Sequence, residues 1–450
     1  MAISKIPGAG VSADTLEAGD IADDAIGTAE LANDVTISTS GNIATTGSGT
    51  LSVAGTSTLT GNVTAAGTHA VTGNATVGGT LGVTGNATAS GNLTVTGDIV
   101  PSSPLSHRNV IYNGDCRVAQ RGGTSTNPTA KPNTVDVFHY QKEGSPGNVT
   151  CTQATVSGTN APGEFAKSFK VEQTSTVSPG STAYQQVVRK VEAHDCQRFN
   201  ATTGTTAMVL SFWVKANYAD TFSTAILNID GVRIVTYEYT TVANEWQKVT
   251  HVIPADSGGG SYDDNNDRGV EIRWWLTAGS NYIGGATTSW KTNSNNNTNV
   301  HSNPAFSTDG REWEITGVQL EQGGSVTPFE HKSYAEELAK CQRYFYVAAK
   351  GAEVVIMPVG LYHTNVFYLP IPFPHKMRST PTLVQTYGSN YYGMYRQGDS
   401  SLFNSWSSAQ GSIYSMRINN AQGSLGTAGW TGWCFTNNSD VLLAFQAEIG

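Results

Sequence analysis

The chain has 450 residues, of which 14% are charged and 49 are glycine, and its formal net charge is −9. That length leaves room for about three compact units, and a composition rich in Gly, Ser, Thr and Asn predicts short strands and turns in place of long helices. The acidic balance repels phosphate backbones, which excludes nucleic acid as a partner, and no run approaches the ~18 apolar residues that span a bilayer, so no membrane insertion is expected.

Residues 1–36 carry an apolar residue at every fifth position: Ile6, Val11, Leu16, Ile21, Ile26 and Leu31. Five matches neither the 3.6 of a helix nor the 2 of a strand, so these residues cannot line one face of either over that length. The segment reads as an anchoring arm ordered by sister chains or by a socket on another protein, as against a disordered leader. Its first residues lack the apolar core of a signal peptide, so synthesis in the cytoplasm is expected.

Residues 37–100 repeat with period six. Glycine stands at 49, 55, 61, 67, 73, 79, 85, 91 and 97, and small apolar residues follow two and four positions later, among them Val53, Leu59, Val63, Val71, Val77, Leu81, Val83, Leu93 and Val95. Because six is even, all of these share one strand face. A lone strand of small side chains cannot offset the entropy of ordering it. A single-chain β-helix would have only about three turns and bare apolar ends, so the segment predicts an intertwined, β-helix-like stalk of three identical chains. Glycine at each corner would permit positive φ or close backbone approach. The solitary His69 reads as a filler, since a metal site needs several converging ligands.

Residues 101–107, with Pro101 and Pro104, form a linker. From 108 to 332, alternating runs at 207–215, 232–239, 247–253 and 270–276 are separated by turn residues, which predicts a β-sandwich; the Thr- and Asn-rich stretch 287–303 reads as a long surface loop. At 333–345, Ser333 and Glu336 make a capping box, Glu336 and Lys340 are spaced for an ion pair, and Tyr334, Leu338, Cys341 and Phe345 share a face, which predicts a short helix linking two domains. Prolines at 370, 372, 374 and 381 and further short strands make 346–450 a second β-domain, a C-terminal tip.

Few residues suggest chemistry. The cysteines, Cys116, Cys151, Cys196, Cys341 and Cys434, are odd in number and far apart, which predicts buried free thiols. Among possible glycosidase carboxylates, Glu164, Glu271 and Glu312 are available, but nothing marks a pair, so no enzyme and no cofactor are expected. Asp263, Asn265 and Asp267 have the one-three-five oxygen spacing of a structural Ca²⁺ loop, although Asp-Asn runs also make ordinary turns. Sugar recognition needs aromatic faces beside planar polar groups, and two clusters qualify. The first lies in the tip: Tyr391, Tyr392, Tyr395, Arg396, Trp406, Tyr414, Trp430 and Trp433. The second lies in the sandwich: Tyr262, Trp275, Tyr282 and Trp290. Trp213 and one of Trp274 or Trp275 read as core.

The segments Asn113-Gly-Asp-Cys-Arg-Val-Ala-Gln-Arg-Gly122 and Gly317-Val-Gln-Leu-Glu-Gln-Gly323, continued by Thr327-Pro-Phe-Glu-His-Lys-Ser-Tyr334, resemble phage tail-fibre and tail structural proteins of marine phages and cyanophages. Phe212-Trp-Val-Lys-Ala216 and Glu245-Trp-Gln-Lys-Val249 are similar to jelly-roll modules of the carbohydrate-binding type. The resemblance implies a homotrimer in the virion, held at its N-terminus by a tail or adaptor protein. It also implies that the C-terminal part attaches to a host glycan or outer-membrane receptor, and it supplies no catalytic residues. A polysaccharide depolymerase tailspike and a head fibre are the alternatives.

Overall fold

The computed structural model describes residues 53, 55–60, 62–96, 106–128, 134–284, 287–294, 304–421, 423 and 425–450. The expected anchor residues, Ile6 to Leu31, lie outside them, as does most of the linker. The chain divides into two compact units, Met1–Thr94 and Val95–Gly450.

In the hexad segment no strand is assigned among the described residues. The apolar side chains predicted to face inward stand in solvent, from 45% exposed at Val95 to 77% at Leu93. Neither expected use of glycine operates within one chain: Gly55, Gly67, Gly73, Gly79, Gly85 and Gly91 have no positive φ, and a Cβ on any of them would meet nothing within 4 Å. Among the described residues, then, these side chains have nothing to pack against.

The second unit is mainly β. Its first half is a jelly-roll-like sandwich of two antiparallel six-stranded sheets. The first sheet runs Thr124–Thr126, Val149–Thr155, Lys167–Gln173, Glu312–Gln322, Met208–Ala216, Gln247–Ile253; the second runs Thr287–Thr292, Arg233–Thr241, Asp220–Asn228, Arg268–Ala278, Tyr184–Glu192, Phe138–Glu143. Strict alternation builds the core between them. Val270, Ile272, Trp274 and Leu276 point in from the second sheet and meet Phe169, Leu210, Phe212 and Ile315 of the first, all buried. The predicted runs at 207–215, 232–239, 247–253 and 270–276 are strands. The predicted loop at 287–303 is corrected: Thr287–Thr292 pairs with Arg233–Thr241 as an edge strand. Trp213, read as core, is half-exposed on the outer face, whereas Trp274 is core.

The motif segments clasp the sandwich shut. Strand Glu312–Gln322 bulges after Thr316, where Gly317 adopts φ +61°, and this brings Val318 against Gly114. Val318 N–H donates to the Gly114 carbonyl at 2.9 Å, and a Cβ on Gly114 would lie 2.2 Å from the Val318 oxygen, so only glycine fits. Asn113, held at φ +55°, donates to the carbonyls of Val118 and Asp136 and accepts from Val118 N–H.

The helix spans Tyr334–Gln342 with the predicted capping box at Ser333 and Glu336. It is shorter than expected. Phe345 already belongs to strand Phe345–Lys350, Tyr334 is 52% exposed, and Lys340 places its ammonium over the Tyr112 ring at 4.6 Å. Nor is the helix a spacer. Cys341 and Tyr344 are buried with Val118, Val137 and Ile449, while Glu337 accepts from Asn113 N–H at 2.5 Å. Around this apolar patch Arg343 grips Glu192 with two bonds of 2.7 Å, Arg121 pairs with Glu448 at 2.7 Å, and Arg378 donates to the carbonyls of Ala447 and Glu448. The C-terminal region is thus packed onto the sandwich through buried charge pairs.

That region holds two antiparallel sheets around its own core. One has three strands, Phe345–Lys350, Leu442–Gln446 and Thr382–Gln385; the other has seven, in the order Asp399–Phe403, Tyr392–Arg396, Thr431–Thr436, Val355–His363, Val366–Pro372, Ser415–Ala421, Ser407–Gly411. All five cysteines are buried free thiols.

Candidate functional site

The outer face of the second sheet is where side chains of opposite character converge. Period-2 alternation that sends Trp274 inward sends Glu271, Arg273 and Trp275 outward. In register, Trp275 lies opposite Gln186, and Gln186 lies opposite Gln141 on the next strand; Tyr184 and Glu143 are likewise paired. Together with Tyr282, from a single 3-10 turn after strand Arg268–Ala278, these residues line a cleft of about 320 Å³.

Three rings form its apolar wall. Tyr184 meets Trp275 at 5.7 Å and Tyr282 at 5.1 Å, both edge-on, and Tyr282 lies 6.0 Å from Trp275. Trp275 is 1% exposed because the two half-buried tyrosines cover it. Burial and then the Glu143 carboxylate, to which it is hydrogen-bonded, raise the Tyr184 phenol above its usual range.

The polar wall is partly satisfied from within. Gln186 Nε2 donates to Gln141 Oε1 at 3.0 Å, but Gln186 Oε1 and Trp275 Nε1, both buried, find no hydrogen-bond partner in the protein. An unpaired buried polar atom costs about 1–3 kcal/mol. Both atoms are shielded from solvent, so the polar surface that the cleft offers is that of Gln141, Glu143 and the charged cluster of Arg268, Glu271 and Arg273. Beyond them, Glu271 takes one bond of 2.5 Å from Arg268 and one of 2.5 Å from Arg273. Burial pushes this carboxyl up, but the two guanidinium groups outweigh it and hold Glu271 below the usual carboxylate range.

Of the sandwich aromatics singled out by sequence, Trp275 and Tyr282 come together here and the other two do not. Tyr262 is core, 6.3 Å from the Phe199 ring, and Trp290 is half-buried with its Nε1–H donating to the Pro254 carbonyl. The tip cluster is dispersed more widely. Tyr392 and Trp406 are core, their rings packed on Phe403, and this corrects their assignment to the surface. Arg396 is turned inward and donates to Ser401 Oγ. Tyr391 and Trp430 are half-buried against the same core, and Tyr414 stands alone on a turn. Only Tyr395 and Trp433 stay together outside, opposite one another on adjacent strands with ring centroids 4.7 Å apart.

The segment with calcium-loop spacing makes turn hydrogen bonds: Asn265 Oδ1 accepts from Asp267 N–H at 2.8 Å, and Asp264 pairs with His194 at 2.6 Å. Among the described residues no group of three or more His, Cys, Asp or Glu side chains is placed to hold a metal ion. Of the other carboxylates considered, Glu312 pairs with Lys170 at 3.1 Å and Glu164 lies 3.6 Å from His331.

No protein-family model matches the chain, and its sequence matches none of the curated proteins. Among solved structures, it is similar to the enzymatically active domain of tailspike protein 4 of bacteriophage CBA120, at 15% identity over 48% of this chain and 21% of that one, with a TM-score of 0.24. It is also similar to TmCBM61 in complex with β-1,4-galactotriose, at 10% identity, 48% and 99% coverage and TM-score 0.21. A third is the N-terminal cellulose-binding domain of Cellulomonas fimi β-1,4-glucanase C, at 16%, 42% and 90%, and 0.23. The chain thus spans about a fifth of the tailspike domain.

Proposed function

We propose that the chain is a homotrimeric tail-fibre protein of a bacteriophage virion, non-enzymatic, which attaches the particle to the host by holding a surface polysaccharide in the cleft of its sandwich. The observation that carries this reading is a cleft in which a wall of three rings stands beside Gln141, Gln186, Glu143 and the Arg268–Glu271–Arg273 cluster. Sugars present alternating C–H faces and hydroxyls, and such a cleft can satisfy both. The hexads support the trimer, because their apolar side chains are exposed among the described residues. Three copies of a weak site per fibre multiply into avidity without a strong single contact. A tail or adaptor protein would hold the arm.

Binding of the full chain to purified host surface polysaccharides, measured on an array and by tryptophan fluorescence, tests this. Tyr282→Ala should weaken binding about tenfold, worth ~1.4 kcal/mol, and Trp275→Phe, which keeps an aromatic ring beneath the two tyrosines, should weaken it less. Unchanged affinity in both variants would remove the cleft from the reading. The depolymerase alternative has one point in its favour, that Glu143 and Glu271 line the same cleft. Against it, a glycosidase acid needs a raised pKa, and Glu271 is held low. Reducing ends appearing during incubation would decide for that alternative.

A further inference from the structure

The seven-stranded sheet presents an outer face whose side chains are exposed among the described residues of its own unit. Its cross-strand register puts Leu402, Tyr395, Trp433, Val355, Pro358 and Tyr368 on one side. Val355 is 60% exposed, Trp433 43% and Leu402 37%, and Tyr362, whose ring lies 5.2 Å from Tyr368, is 64% exposed. Among the described residues of these strands, Arg417 is the one charged side chain on that side, and its guanidinium carbon lies 4.3 Å from the centroid of the Tyr368 ring. The surface is also built to be smooth. Phe435 lays its ring across Gly393, where a Cβ would come within 2.3 Å of it and 2.9 Å of Leu402.

We infer that this face is an interface between copies of the chain, a second contact beyond the hexads. The inference rests on the trimer of the proposed function. Two arguments select a second copy over a sugar. The first is charge: copies that each carry −9 repel wherever carboxylates meet, and a face without carboxylates lets them approach. The second is area. Seven strands at ~4.8 Å spacing and five to nine residues of ~3.3 Å each make a face of roughly 500–900 Å², comparable to the ~800 Å² that each partner contributes to a stable interface.

Hydroxyl-radical footprinting of the full chain, read by mass spectrometry with the mass in solution measured in parallel, tests it. Tyr387 and Tyr414, 74% and 62% exposed on turns of the same region, serve as internal references. Trp433 and Tyr362 should oxidise several-fold more slowly than these references. The double variant Val355→Asp, Trp433→Asp should bring Tyr362 up to the reference rate while polysaccharide binding in the cleft stays unchanged. A trimer in which Trp433 and Tyr362 react at the reference rate would overturn this inference and leave the proposed function standing. A monomeric wild-type chain would overturn both. Loss of polysaccharide binding in the double variant, with protection and mass unchanged, would make the face a sugar site and end the interface reading.

Discussion

Two outward sheet faces, one on the sandwich and one on the C-terminal region, are built from the same aromatic vocabulary and differ in what surrounds the rings. On the sandwich, Tyr184, Trp275 and Tyr282 stand beside glutamines, carboxylates and paired arginines. On the C-terminal sheet, Tyr395 and Trp433 stand among Val355, Pro358, Gly393 and Leu402. Under the proposed function the first arrangement would take a hydroxyl-bearing ligand and the second a surface as apolar as itself. Aromatic content alone therefore does not mark a binding site; the polar groups around the rings separate the two faces.

The contrast can be broken at three points. The largest effect is expected at Glu271→Ala, which strands Arg268 and Arg273 beside a buried gap and should cost about 3–5 kcal/mol by the rule for a broken buried pair. Urea unfolding of the full chain would show it, together with loss of cleft binding. If the midpoint hardly moves, the charged floor of the cleft is not structural. A smaller loss, about 1–3 kcal/mol, is expected for Gly393→Val, because the new side chain meets the Phe435 ring. Here cleft binding should persist, and a parallel loss of it would mean that the two faces are not independent.

The smallest effect concerns the joint beneath both faces. Burial, opposed by Arg121 and Gln120, raises the Asp136 carboxyl to about 6. A folded pKa above the unfolded one contributes stability that is complete below the unfolded value and lost as pH rises through about 6. Lowering the pH from 7 to 6 should therefore stabilise the protein by roughly 0.4 kcal/mol through this group. Asp136→Asn should remove that increment from the difference between urea midpoints at the two pH values, and an identical difference in the variant would dismiss Asp136 as its source.

Much of the fold was readable in advance because it rests on local chemistry. The alternation in 270–276 announced a strand, and Ser333 with Glu336 announced the helix start, since a cap needs only its own first turn. The candidate site was half legible. Trp275 and Tyr282 were singled out, but Tyr184, Gln141 and Gln186 were missed, because three strands distant in sequence must pair before these side chains become neighbours. Tyr392 and Trp406 were misplaced for a related reason: a ring beside Gly and Ser in sequence can face either side of a strand, and only its partners decide which.

By itself the sequence determined the β character of the chain, the even period that puts the hexad residues on one face, and the start of the helix. These follow from bond geometry and nearest neighbours along the chain. Tertiary structure alone decided which aromatics are core, which polar atoms go unpaired, and that the C-terminal region is clamped to the sandwich through Glu192, Arg343, Arg121 and Glu448. Each of those depends on register between strands far apart in the chain, and register is fixed only when the whole core closes.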